Sequence, residues 1–217
     1  MTYTEIFKQK QCRLQSILQK KINGDTMMGF PEFCLRLPPY VTEFLLDQDA
    51  VYSTDEDRMK LVIGLSRINI SHGGGPFGAG VFCMNTHKLV APGVNLVIPT
   101  ACSVAHAEIV ALVLAEQAVS TYNLSDAGDF ELVTSAEPCS QCFGAIPWSG
   151  VRRVVYGADR TDVEAIGFDE GPKATDWIQS LEKRGLEVAS HVLRFEAVEV
   201  LQAYMSAGNR IYSPGTD

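Results

Sequence analysis

The sequence predicts an α/β fold, a three-layer α-β-α sandwich on a mixed sheet of about five strands. Short apolar runs alternate with helix-period segments from Phe77 onward, the pattern of a sheet covered on both faces. The chain has 217 residues, 46% apolar and 20% charged, enough for one packed domain with extensions.

Taken in order, residues 2–22 read as an amphipathic helix. Thr2-x-x-Glu5 forms a capping box, and Phe7, Leu14, Ile17, Leu18 and Ile22 recur at helical spacing before Asn23-Gly24-Asp25 ends the run. An extended stretch with Pro31 and Leu37-Pro38-Pro39-Tyr40 follows, then a short helix over Thr42–Asp49. Residues 1–54 therefore form a packing arm, and 55–217 the main domain. From Asp55 a second helix carries Leu61, Leu65 and Ile68 on one face, widened by Met59, Val62, Ile63 and Ile70, and stops at Gly73-Gly74-Gly75-Pro76. Phe77–Met84 is a strand, His87–Ala91 its hairpin partner, and the residues to Asn95 a loop. A helix spans Val104 to Ser120, and Asp129–Thr134 is a buried strand. Pro138 opens the first turn of a short helix that ends near Trp148. Val151–Tyr156 is the next strand and Asp162–Ala165 a small helix. A loop through Gly171-Pro172 leads to a helix over Thr175–Arg184, a strand at Leu186–Val192 and a helix at Glu196–Ala207. Residues 166–217 thus supply a loop and a C-terminal segment.

The formal net charge is −8, which argues against a nucleic acid as main partner, since phosphate neutralisation needs a basic face. The longest apolar run, Ile109–Ala115, cannot span a bilayer. No signal-peptide pattern is present, so a soluble, cytoplasmic protein is expected. Six cysteines are read as thiols or metal ligands, not disulfides.

Two stretches carry the chemistry. Ala105-His106-Ala107-Glu108 reads H-x-E, and Glu137-Pro138-Cys139-Ser140-Gln141-Cys142 reads P-C-x-x-C. Together they are a known signature of zinc-dependent base and nucleoside deaminases. His106, Cys139 and Cys142 offer three ligands and leave a fourth position for water. Each pair sits at the opening of a helix, where positive partial charge favours thiolates. Glu108 is not needed as a ligand, so it is the general acid/base that moves protons between water and a ring nitrogen. The expected reaction replaces a ring amine by a carbonyl and releases ammonia. A lone C-x-x-C also suits a redox pair or half a zinc knuckle. The first leaves His106 and Glu108 unexplained, and the second lacks its other half. A closed site completed by Cys102, one helical turn before His106, is conceivable. Cys12, Cys34, Cys83 and Cys102 otherwise read as small buried apolar residues, and His72 and His87 as surface or turn residues.

On these motifs the chain resembles the cytidine deaminase-like superfamily, and within it the bacterial guanine deaminases. The likeness runs from about Gly73 to Gly171 and includes Gly74-Gly75-Pro76-Phe77-Gly78-Ala79, Asn95, the two metal motifs, Gly144-Ala145-Ile146 and Trp148. Trp148 reads as core behind the metal helix. Ala165-Ile166-Gly167-Phe168-Asp169-Glu170 looks like the guanine deaminase loop whose acidic residue, here Glu170, is a second proton shuttle. The resemblance implies guanine as substrate and one Zn²⁺ per chain. It implies Asn95 hydrogen-bonding the purine edge, Phe77 and Phe168 walling the base, and backbone near Ala107 reaching a ring oxygen. It also implies a homodimer whose exchanged C-terminal segment, with Tyr212, lids a neighbour's pocket. Ammeline or another triazine, cytosine or a nucleoside remain alternatives, and the acidic charge weighs against tRNA adenosine.

Overall fold

The computed structural model describes residues 34–48 and 50–212. The helix expected over residues 2–22 and Cys12 lie outside them. The first helix is α1 (Pro39–Leu46). It begins earlier than the expected Thr42 because Pro39 takes a first-turn position, where its missing N–H costs nothing. Helix α2 (Asp55–Ser71) starts at Thr54, whose side chain exchanges capping-box hydrogen bonds with Asp57.

Strand β1 (Gly78–Cys83) pairs antiparallel with β2 (Leu89–Val94) and with β3 (Phe130–Ala136). Between β2 and β3 lie a short helix α3 (Val97–Thr100) and the long α4 (Ala107–Val119). After β3 come α5 (Ser140–Ser149), β4 (Arg153–Ala158), α6 (Arg160–Ala165), α7 (Trp177–Glu182), β5 (Glu187–Ala189) and α8 (Arg194–Ser206). β3, β4 and β5 are parallel, so the sheet is mixed, in the order β2-β1-β3-β4-β5.

The alternation along the strands divides the core into two layers. Phe82, Val133 and Val155 face α2 and α8 on one side. Their neighbours Val81, Leu132 and Val154 face α4, α5 and α7 on the other. This is the expected α-β-α sandwich. Among the described residues no helix is long and apolar enough to cross a membrane.

The differences from expectation have local causes. β2 includes Pro92, expected in a loop, because β2 is the sheet's edge and its outer side needs no donor. β4 starts at Arg153, later than Val151, because Gly150 turns the chain with φ 80° and Val151 packs before pairing begins. Trp148 is 82% exposed, not core behind α5. Cys34 is exposed and Cys83 and Cys102 are half-buried, so none of these three is a fully buried filler. None of the five described cysteines is in a disulfide. His72 caps α2 and His87 sits in the β1–β2 turn with φ 54°.

A charged cluster joins α2 to the sheet. Arg153 reaches both oxygens of Asp55 at 2.8 and 2.6 Å and Glu131 at 2.8 Å. Arg58 contacts Asp55 at 2.8 Å and Glu131 at 2.9 Å. Two guanidinium groups thus neutralise two acids, one of them (Glu131) 2% exposed on the central strand. Arg153 and Arg58 hold Asp55 down to about 2 against the opposing effect of burial. The folded value lies below the unfolded one near 4, so this stabilisation is full above that pH and is lost as pH falls toward 2. Asp55→Asn is therefore expected to cost roughly 1–2 kcal/mol at pH 7 in urea unfolding, between exposed and buried pairs. The gap to the parent should close between about pH 4 and pH 2.

Candidate metal centre and active site

One edge of the sheet, where β2, β3 and β4 end and β1 begins, opens onto a cavity of about 550 Å³ that includes its mouth. Ligands commonly bind outside the carboxyl ends of parallel strands. The metal candidates come from two converging helix N-termini. His106 is the N-cap of α4 and Cys139 the N-cap of α5, both with extended backbone. Cys142 follows in the first turn of α5. Pro138 therefore lies just before the cap, not within the first turn, and Cys139 is placed by the cap and not by a full helical turn.

Gly93 lets these pieces close up. A Cβ there would collide with the carbonyl of Ala107, so only glycine allows β2 to press against the first turn of α4. The result brings the His106 nitrogen and both sulfurs within 4.8 Å of one another. His106 Nδ1 lies 3.4 Å from Cys139 Sγ and 3.6 Å from Cys142 Sγ. Tetrahedral ligation with Zn–S near 2.3 Å and Zn–N near 2.0 Å requires an N-to-S separation of about 3.5 Å. One imidazole and two thiols at these distances fit a soft divalent cation such as zinc. Cys102 is not part of this group, which leaves the donor set open.

The proton affinities show the same close packing. Cys139 is held at about 4, first by its hydrogen bond with Cys142 and then, against burial, by His106. Cys142 is pushed up correspondingly by that same bond and by burial, so the two sulfurs share a proton until a cation displaces it. His106 is raised because Cys139, Glu108 and Glu170 outweigh the opposing effect of burial.

Glu108 stands in the first turn of α4 and is 6% exposed. Burial, then the Cys139 charge, lifts it to about 7. Glu170, also 6% exposed, rises to about 8 through burial and through Cys139 and Glu108. Both carboxyls line the same cavity, and Glu170 Oε2 is buried without a hydrogen-bond partner. Two buried carboxyls, both raised above the ordinary carboxylate range, thus sit beside the metal cradle.

Asn95, Phe77 and Phe168 also line the cavity, whereas Ala107 is fully buried behind it and is not among the lining residues. Asn95 is 1% exposed, and its Oδ1 accepts from the Val97 amide at 3.2 Å. Asn69 holds it from behind, donating from Nδ2 to the carbonyls of Asn95 and Gly75 at 2.9 and 2.8 Å. The rings of Phe77 and Phe168 meet edge to face at 5.2 Å. Tyr212 packs on Phe168 at 4.9 Å and lines the cavity. Its buried hydroxyl has no partner, and burial pushes its pKa up, which disfavours ionisation. Gly75 makes room for that hydroxyl.

Three cavity residues escaped the sequence reading: Ala136, Glu137 and Asp169. Glu137 adjoins the Pro-Cys motif, but an acid before a proline carries no signal that it is buried. Its Oε1 accepts from Lys173 Nζ at 2.5 Å and its Oε2 from the Arg160 amide at 3.3 Å.

Residues 52–158 match the model of the cytidine and deoxycytidylate deaminase zinc-binding region. The chain is 36% identical over 116 residues to the guanine deaminase of Bacillus subtilis, covering 53% of this chain and 71% of that one. It is 34% identical over 155 residues to the tRNA-specific adenosine deaminase of Haemophilus influenzae, covering 69% and 82%. Among solved structures, the guanine deaminase of Nitrosomonas europaea superposes with a TM-score of 0.76 at 46% identity, covering 82% of this chain and 100% of that one.

Cys142→Ala, which removes one of the three donors, is expected to leave less than about a tenth of the parent's bound zinc after dialysis. Cys102→Ala should retain it in full. Metal analysis of the two proteins distinguishes an open three-donor site from a closed one.

Proposed function

Because the chain belongs to the zinc-binding cytidine and deoxycytidylate deaminase family, a family of hydrolases, we propose that it converts guanine and water to xanthine and ammonia with one bound Zn²⁺. The observation that carries this reading is the pairing of Glu170 with Glu108 in one cavity beside the metal cradle. The 46% identity to a guanine deaminase over that protein's whole length supports the choice of base.

Bound zinc supplies the Lewis acidity that makes water a nucleophile near neutral pH. The work of the protein is then to place the ring and move two protons. Asn95 is held rigid at the cavity wall by Asn69 and the Val97 amide, suited to hydrogen-bond a purine edge. Phe77 and Phe168 offer apolar walls for a planar ring. Glu108 takes the first proton from the attacking water and gives it to N3, which makes C2 electrophilic. Oxygen bonds to C2, and the second proton of the water must reach the exocyclic nitrogen. Glu170 carries it there, so the C2–N bond breaks with loss of ammonia and C2 becomes a carbonyl. Separate carboxyls let each keep the protonation state its task needs.

A tRNA substrate is the second reading, favoured by the Haemophilus relative. The net charge of −8 speaks against it, and a second acid at Glu170 suits an amine flanked by two ring nitrogens. Ammeline shares that feature with guanine.

Zinc-loaded protein incubated separately with guanine, ammeline, cytosine and tRNA should release ammonia fastest from guanine. Absence of ammonia from guanine would sink the substrate assignment. Glu108→Ala should lose more than the roughly 10²–10⁴-fold typical of acid/base residues, since it also prepares the nucleophile. Glu170→Gln should lower kcat by roughly 10²-fold with zinc retained, and unimpaired turnover would remove Glu170 from the mechanism.

A further inference from the structure

The acid proposed for the leaving amine sits on a segment with no regular structure between α6 and α7. Glu170 Oε2 has no hydrogen-bond partner. With that oxygen unanchored, its position depends on what holds the loop. On the N-terminal side Phe168, 7% exposed, packs between Phe77 and Tyr212. At Glu170 itself the carbonyl accepts from the Ser140 amide at 3.0 Å, the first N–H of α5. On the C-terminal side stands Lys173. Its side chain is 1% exposed, which is rare for an ammonium unless it is fully paired.

Lys173 is paired on every side. Nζ donates to Glu137 Oε1 and to the Pro138 carbonyl, each at 2.5 Å, and lies 4.5 Å from the centre of the Trp177 ring. Glu137 and Pro138 directly precede Cys139, so this one side chain fastens the Glu170 loop to the strand-to-helix turn that carries the metal ligands. It also occupies Glu137, one of the four carboxyls that line the cavity, whose other oxygen accepts from the Arg160 amide. Asp169 accepts from the Gly171 amide at 2.8 Å, and Glu108 and Glu170 are the two acids the proposed reaction uses.

We propose that Lys173 is the positioning residue for Glu170: it ties the loop to the Glu137-Pro138 turn and fixes the distance between the second acid and the metal cradle. The inference rests on the reading of Glu170 as second acid. Misplacement of a reacting group by about 1 Å can cost roughly 10²-fold in rate, so loss of this tie should appear in kcat.

The test compares Lys173→Met, Lys173→Arg and the double variant Lys173→Met/Glu137→Gln, which leaves no buried charge unpaired. With guanine, Lys173→Met and the double variant should lose roughly 30–100-fold in kcat with KM within about threefold and zinc unchanged. Lys173→Arg should recover most of that loss. In a Glu170→Gln background Lys173→Met should cost little more, because the two residues act as a unit. Hydrogen exchange should quicken by about tenfold or more over residues 166–173 in the double variant, with α4 unchanged. Additive losses with Glu170→Gln, or loop exchange equal to the parent's, would overturn the inference. A parent enzyme inert toward guanine would instead defeat the substrate reading, and the exchange experiment would still decide whether Lys173 holds the loop.

Discussion

The site depends on one constraint: two helices must begin at the same point in space. His106 and Cys139 are both N-caps, and each therefore sits at the last extended residue before its chain turns helical. An N-cap side chain projects ahead of the helix, where unpaired N–H groups create positive potential. Two such ends facing each other favour thiolate at Cys139 and place Glu108, two residues into α4, over the same spot. Gly93 is what allows α4 to come this close to the sheet. The cradle is thus a product of sheet order and helix phase as much as of ligand identity.

A second regularity concerns charge. The fold buries four glutamates among the described residues, and two are answered by cations. Glu131 is met by Arg58 and Arg153, and Glu137 by Lys173 and the Arg160 amide. Glu108 and Glu170 differ: burial, with the Cys139 charge, lifts them to about 7 and about 8, outweighing the pull of His106 and, at Glu170, of Lys173. Burying a carboxyl without a cation is costly and stabilises nothing by itself. A fold that satisfies its structural acids so fully, and leaves two raised beside a metal cradle, concentrates that cost where proton transfer can use it.

What could be read from the chain beforehand was what short spacing encodes. The H-x-E and P-C-x-x-C motifs pointed to the three side chains that the fold brings together, because groups at the start of one helix are local in sequence, and the alternation of strands and helices identified the layers. The misreadings involve information that sequence distance hides. Pro92 reads as a loop residue until β2 is known to be the sheet's edge. Trp148 reads as core from its composition, yet it projects from the outer face of α5 at 82% exposure. Glu137 and Lys173 are 36 residues apart, and neither shows alone that it is buried. Tyr40, on the segment read as a mere arm, donates to Asn69 at 2.8 Å and so supports the wall of the cavity at Asn95.

The division between cradle and loop also explains how relatives named for guanine and for tRNA adenosine can share one zinc-binding region. The cradle acts on water, and water is the same whatever amine it attacks. Discrimination must come from groups that touch the ring or its leaving nitrogen. In this chain the cavity residues proposed for that role are Asn95 on the exit of β2, the Phe77–Phe168 pair and Glu170, carried by segments outside the regular elements. Loops of this kind tolerate change without loss of the core, but only if something fixes them while they act. Here the fixing groups reach back to the cradle itself, through the Ser140 amide and the Pro138 carbonyl. A change of substrate therefore requires altering the loop while keeping its two attachments to the turn that holds the metal ligands.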